Sequence, residues 1–164
     1  YIHSLNVMAL SLFLGLKIKL DKEDLRLLGL ASALHDIGIT KISPLILSKL
    51  GKLNEKEFHI YKTHVIESVK IAEKLGLPDK VIKGIAHHHE KLNGTGYPSK
   101  LKREEISFFG KIIAIADAYE MLTTPKPMKY ALTPYNALMI LVHDKGCYDK
   151  ALLETFIKIL GRVI

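Results

Sequence analysis

Apolar residues recur at spacings of three and four along almost the whole chain, and no long alternating segment argues for a sheet, so the pattern predicts an all-α fold. The first predicted helix runs from Leu5 to Leu20, with Leu5, Met8, Ala9, Leu12 and Leu16 as its inward stripe and His3 on the turn with Val7. A second helix follows Asp21, a good N-cap, and runs to about Asp36. Its last turns hold Gly29, Ala31, Ser32 and Ala33, small residues that let neighbouring backbones approach closely. The best-marked helix follows Asn54: Glu57 at N3 completes a capping box, Leu53 is placed to staple to Phe58, and Gly76 ends it. Pro78 permits a new start, and a further helix runs to a histidine cluster. Past a glycine-rich loop, Phe109, Ile112, Ile113 and Ala116 form the buried stripe of the next helix, with Asp117 at its edge. Thr133 with Pro134 at N1 opens another, which Gly146 closes, and Asp149 caps the last.

With 164 residues and 48% hydrophobic content, the chain suits one domain spanning residues 1–164 with an ample core. The opening apolar segment is interrupted by Asn6, Ser11, Lys17 and Lys19 well short of the roughly 18 apolar residues a membrane span needs, so no membrane contact is expected of it. Cys147 is the single cysteine, which excludes an internal disulfide and fits a reducing, cytoplasmic compartment. The start at Tyr1, without methionine or a signal-peptide pattern, reads as a domain excised from a longer chain with an input region upstream. The net charge of +7 rests on 21 Lys and only three Arg, dispersed rather than gathered. A duplex reader presents an arginine-rich element more often, so no nucleic-acid polymer is expected; the dispersed charge reads as an ordinary solvated surface or, alternatively, as a field that draws in a phosphate ligand.

The segment Ile85 to Pro98, IAHHHEKLNGTGYP, sets adjacent imidazoles ahead of a glycine-rich loop. Neighbouring residues on a helix point about 100° apart, so two such histidines can hold one ion only near a helix end or between helices, and the loop supplies such an end. His35 and Asp36 form a second pair, suited to a two-metal site because a carboxylate can bridge ions while the imidazole binds one of them. His3 lies 32 residues before His35, Asp117 lies 28 after His89, and His64 sits on the capped helix between them. Any one of these alone reads equally as a hydrogen-bonded core histidine or a surface aspartate. Together they read as a metal site. Nitrogen and oxygen ligands without sulfur suit iron, manganese, zinc or nickel.

The order His3, LHDIG at Leu34 to Gly38, KTH at Lys62 to His64, HHE with GTGYP, and IADAYEMLT at Ile115 to Thr123 resembles the HD-GYP subgroup of HD-domain phosphohydrolases over nearly the whole chain. The resemblance implies a compact multi-helix bundle around a central metal site. It implies hydrolysis of cyclic di-GMP, a bacterial second messenger, to linear pGpG or onward to GMP by hydroxide formed between two divalent cations, iron or manganese in the family. It also implies that His3, His35, Asp36 and Asp117 hold one ion, and that Asp36 bridges to a second held by His64, His88 and His89. Asp36 and His35, serving the activated water, would then be the catalytic residues. His59, His87 and His143 match no ligand position and read as structural or surface residues. Gly94, Gly96, Tyr97 and Pro98 would shape the ligand pocket, with both glycines free to take positive φ. Tyr97 would either stack on a guanine or anchor the loop. The same loop implies contacts with a signalling protein such as a diguanylate cyclase.

Four features depart from the family pattern. Ile39 stands where the family has a phosphate-facing lysine; the nearest replacement is Lys41, displaced by two residues, and losing the cation would remove transition-state charge stabilisation. Lys126 and Lys129 stand for a basic pair led by arginine, keeping charge for substrate binding without the bidentate fork. Glu120 replaces the second aspartate of ADxxD, and Asn93 the aspartate of DGxGYP. These departures leave two alternatives: a non-catalytic receiver of the nucleotide or of a partner protein, and a hydrolase of another phosphoester.

Overall fold

The computed structural model describes residues 2–49, 51–125 and 130–161, and the regular structure among them is helical. In chain order the helices are α1 (Ile2–Lys17), α2 (Lys22–Leu34), α3 (Pro44–Leu47), α4 (Glu55–Lys74), α5 (Asp79–His87), α6 (Phe108–Thr123), α7 (Pro134–His143) and α8 (Lys150–Leu160). Two 3-10 turns, Ile37–Lys41 and Arg103–Glu105, add to them. The caps expected from sequence hold. Asp21 accepts from the Asp24 amide, Asn54 and Glu57 exchange the bonds of a capping box, and Thr133 and Asp149 cap α7 and α8. Gly76, at φ +64, supplies the left-handed residue after α4.

Helix α6 is the axis of the bundle. Ten of its sixteen residues are buried, because α1, α2, α5, α7 and α8 all pack on it. Ile112, Ile113 and Ile115 meet Leu28 of α2, Ile85 of α5, Leu141 of α7 and Phe156 of α8 in one continuous core. Helix α4 packs on the outside of this set, against α5 and the Ile37–Lys41 turn. No helix among the described residues is long and apolar enough to cross a membrane.

The expected inward stripe of α1 is wrong. Leu5 is 57% and Leu16 is 58% exposed, and the buried face carries Val7, Ser11, Leu14 and Gly15. The helix is apolar on both sides, so periodicity alone did not select the inner one. His3 shares the buried face with Val7 and is thereby turned toward α6. Helix α7 also ends at His143, earlier than Gly146 suggested.

Candidate metal centre

Five separate elements deliver the clustered side chains. His3 comes from the first turn of α1, and His64 from the middle of α4, where it is fully buried. Asp117 comes from the buried face of α6. His35 is the C-cap of α2 with Asp36 just beyond it, and His88 is the C-cap of α5 with His89 just beyond it. The helix ends matter because chain direction changes there, so that adjacent residues can converge on one point. Asp36 can leave α2 at once only because the following turn lies against α4: a Cβ on Gly38 would stand 2.1 Å from the His64 carbonyl oxygen and 2.4 Å from the Ser68 amide nitrogen.

The two oxygens of Asp36 face different partners. Oδ1 is 3.2 Å from His64 Nε2 and 3.6 Å from His88 Nε2, whereas Oδ2 is 3.6 Å from His3 Nε2 and 3.7 Å from His35 Nε2. Asp117 divides likewise, with Oδ1 3.3 Å from His3 Nε2 and Oδ2 3.5 Å from His89 Nδ1. The potential ligand atoms form two groups, each within 4.8 Å: Asp36, His64, His88 and His89 in one, His3, His35 and Asp117 in the other. All seven sequence-nominated residues are therefore brought together.

The chemistry of these atoms fits cations. The Nδ1 atoms of His35, His64 and His88 donate to the Ser32, Tyr61 and Ile85 carbonyls at 2.7, 2.6 and 2.6 Å. A carbonyl only accepts, so each Nδ1 carries the proton and each Nε2 presents a lone pair inward. Of the four buried side-chain polar atoms without a hydrogen-bond partner among the described residues, three lie here: Asp36 Oδ1, His64 Nε2 and His88 Nε2. Orphaned polar atoms are costly in an interior, and a shared cation satisfies all three.

Electrostatics lead to the same place. Burial disfavours charge on Asp36, but the facing imidazoles of His64 and His88 outweigh it and hold the carboxyl well below its ordinary range. Asp117, also opposed by burial, is drawn down to about 2 by His3 and the other imidazoles. Burial likewise opposes charge on His3, yet its contacts with Asp117 and Glu120 raise it to about 9. His88 is raised by Asp36 against the effect of burial, while burial and the neighbouring His88 push His89 well down. Two ionised carboxylates thus recruit positive charge, as a proton on His3 or as metal.

Two acidic residues support the cluster from behind. Glu120, noted in the sequence only as a departure, is 2% exposed and takes hydrogen bonds from His3 Nδ1, from Asn6 Nδ2 at 3.2 Å and from Thr124 Oγ1 at 2.7 Å. It fixes the proton of His3 on Nδ1 and leaves Nε2 facing Asp36 and Asp117. Glu90 accepts from the Ser99 and Leu101 amides at 2.7 and 3.0 Å, tying the glycine-rich loop to the end of α5. His87 accepts from the Ser107 amide at 2.9 Å and exposed His143 contacts the Met139 carbonyl, so both keep the structural or surface roles expected of them.

Beside the cluster opens a cavity of about 650 Å³, reached by His89 and walled by α4 and the loop. Thr95, Gly96, Tyr97 and Pro98 line it, with Phe58, His59 and Lys62 from α4 opposite, and no carboxylate is among its lining residues. The Tyr97 ring lies 4.7 Å from that of His89 and 6.2 Å, edge to face, from Phe58, the residue expected to staple to Leu53. Gly94 takes positive φ, at +78, but Gly96 does not. A Cβ on Gly96 would stand 2.4–2.6 Å from backbone atoms of His89, Glu90 and Lys91, so its smallness serves close approach instead. Lys41 is exposed at the end of its turn and does not line the cavity. Lys126 and Lys129 lie outside the described residues.

A family model described as an HD domain matches residues 3–152. A cyclic di-GMP phosphodiesterase of Pseudomonas aeruginosa is 32% identical over 98% of this chain and 39% of its own length. A 3'3'-cGAMP-specific phosphodiesterase of Vibrio cholerae is 40% identical over 68% of this chain and 24% of its own length. Among solved structures, an HDG"Y"P protein from Bdellovibrio bacteriovorus is 25% identical, with a TM-score of 0.79 over 97% of this chain and 51% of that one. The chain thus spans less than half the length of either curated relative.

Proposed function

This chain belongs to the HD-domain family, in its HD-GYP form, and we propose on that basis that it is a metal-dependent phosphodiesterase opening cyclic di-GMP to linear pGpG, with GMP as the alternative end product. The observation that carries the reading is the set of buried, unpartnered ligand atoms on Asp36, His64 and His88, facing His89 on one side and His3, His35 and Asp117 on the other. In this reading His3, His35, Asp36 and Asp117 would hold one divalent cation, and Asp36, His64, His88 and His89 would hold a second. Iron or manganese is the favoured metal, and the nitrogen and oxygen donors also suit zinc and nickel.

When bound, such ions supply Lewis acidity, lowering the pKa of water and offsetting phosphodiester charge. The chain does the rest. Backbone carbonyls orient three imidazoles, Glu120 orients a fourth, and the cavity lysines draw an anionic ligand toward the cluster. In this reading the ligand lies on the wall formed by Thr95 to Pro98, with Gly94 outside the cavity lining, and the loop, pinned by Glu90, is also the surface proposed for contact with a diguanylate cyclase or another signalling protein. The single cysteine supports a reducing, cytoplasmic setting.

The test is metal analysis of the purified protein beside turnover of cyclic di-GMP with added manganese or iron. Linear product that disappears together with bound metal in His88→Ala and His89→Ala supports the reading. A protein that holds no transition metal and makes no product rejects it. Two competing readings rest on specific observations. Ile39 in place of the family lysine favours a receiver, which would bind the nucleotide tightly without product. The 40% identical relative favours a hybrid cyclic dinucleotide, so 3'3'-cGAMP is run in competition.

A further inference from the structure

We infer that Lys62 grips the second phosphate of a cyclic dinucleotide, the one that is not being hydrolysed. The inference rests on the phosphodiesterase reading above. Lys62 stands on α4 two residues before His64 and is half-buried in the wall of the large cavity. Its Nζ lies 5.0 Å from the centre of the Phe58 ring and 5.7 Å from that of Tyr97, held by two aromatic faces. None of the described carboxylates forms an ion pair with it, and it has no further interaction beyond these. A partly desolvated cation held in place without a counterion is a ready anion site.

The other lysines of the cavity are differently placed. Lys91 donates to the Tyr148 hydroxyl, with its Nζ 4.0 Å from that ring's centre, and Lys100 is exposed. The position of Lys62 relative to the cluster decides which phosphate it can reach. The Tyr97 ring neighbours both, with its centre 4.7 Å from that of the His89 ring and 5.7 Å from Nζ. Lys62 thus shares the Tyr97 wall of the cavity with His89 while standing outside both groups of ligand atoms. A cyclic dinucleotide carries its second phosphate across the sugar–phosphate ring, several ångströms from the first. The absence of carboxylates from the cavity lining suits a ligand with two negative charges.

The experiment uses the metal-loaded protein with a substrate of two phosphates, cyclic di-GMP, and one of a single phosphate, bis(p-nitrophenyl) phosphate. Lys62→Met is expected to raise KM for cyclic di-GMP about 10- to 100-fold with little change in kcat, the loss of one charge-assisted contact. Turnover of bis(p-nitrophenyl) phosphate and metal content stay at the parent level. Lys62→Arg recovers most of the loss, and Lys74→Met, exposed at the far end of α4 and outside the cavity lining, leaves KM nearly unchanged. Lys62→Gln is run in parallel so that the outcome does not hang on one variant's folding. An unchanged KM for cyclic di-GMP overturns the inference, as does an equal loss on both substrates, which would place Lys62 at the scissile phosphate. If the parent protein cleaves no cyclic dinucleotide, the phosphodiesterase reading itself fails and the inference falls with it.

Discussion

Replacing Gly38 by alanine should damage both the fold and the metal site, because one glycine sets the distance between the elements carrying Asp36 and His64. The added Cβ would meet the His64 carbonyl oxygen at 2.1 Å and the Ser68 amide nitrogen at 2.4 Å, where ordinary contact begins at 3.4 Å. Both atoms belong to the α4 backbone, so no side chain can swing aside and the turn must lift from the helix by more than an ångström. Overpacking of this kind costs about 1–3 kcal/mol or more. Losing the 2.8 Å bond from the Gly38 amide to Ser68 Oγ adds about 1 kcal/mol. A total near 4 kcal/mol lowers the melting temperature of a chain this size by roughly 10 °C. The same lift separates Asp36 Oδ1 from His64 Nε2, now 3.2 Å apart, and metal–ligand distances tolerate only about 0.2 Å. Gly29→Ala is the control. Its Cβ would meet only Leu12 side-chain atoms, at 3.5 Å or beyond, within α2, so it should be neutral or stabilise by about 0.5–1 kcal/mol. The assay is thermal unfolding with and without added manganese, beside metal content. A Gly38→Ala protein that melts with the parent and keeps its metal would refute the reasoning.

The supporting residues make three further predictions. Glu120→Ala strips His3 of its orienting acceptor and leaves Asn6 and Thr124 without theirs, so metal affinity should fall about 10- to 100-fold, read by competition with a chelator of known strength. Parent-level affinity in that variant would remove Glu120 from the site. Glu90→Ala frees the Ser99 and Leu101 amides, and is expected to raise KM for the cyclic dinucleotide by loosening the loop while metal content holds; hydrogen exchange of those amides should quicken, and unchanged exchange counts against the tie. The raised pKa of His3 gives a pH dependence of known sign. In the metal-free protein its stabilising contribution is full below 6.5 and is lost as pH rises through about 9. Metal must displace that proton, so apparent affinity should climb about tenfold per pH unit across the same window, and a flat profile would contradict His3 as a ligand.

Much of the architecture was legible because helix signals are local. Capping residues, glycine ends and three-four spacing act within a few turns, which is why Asp21, Asn54, Thr133 and Asp149 could be placed without a partner in view. Adjacent His88 and His89 followed by a loop likewise implied a helix end, and α5 does stop at His87. The inner face of α1 was not legible. That helix is apolar on both sides, and which side is buried depends on where α2 and α6 lie.

Taken alone, the sequence determined the helical class and the cap positions, since composition and short spacings carry that information, while its resemblance to the HD-GYP family implied which seven residues would hold metal. Only the tertiary structure decided that the two oxygens of Asp36 face different groups of ligands, that Glu120 stands behind His3 across 117 positions of chain, and that Lys62 faces the cavity unpaired among the described residues. Each of these depends on how distant helices cross, and the crossing is set by packing at positions such as Gly38, where backbones touch, rather than by any local preference of the chain.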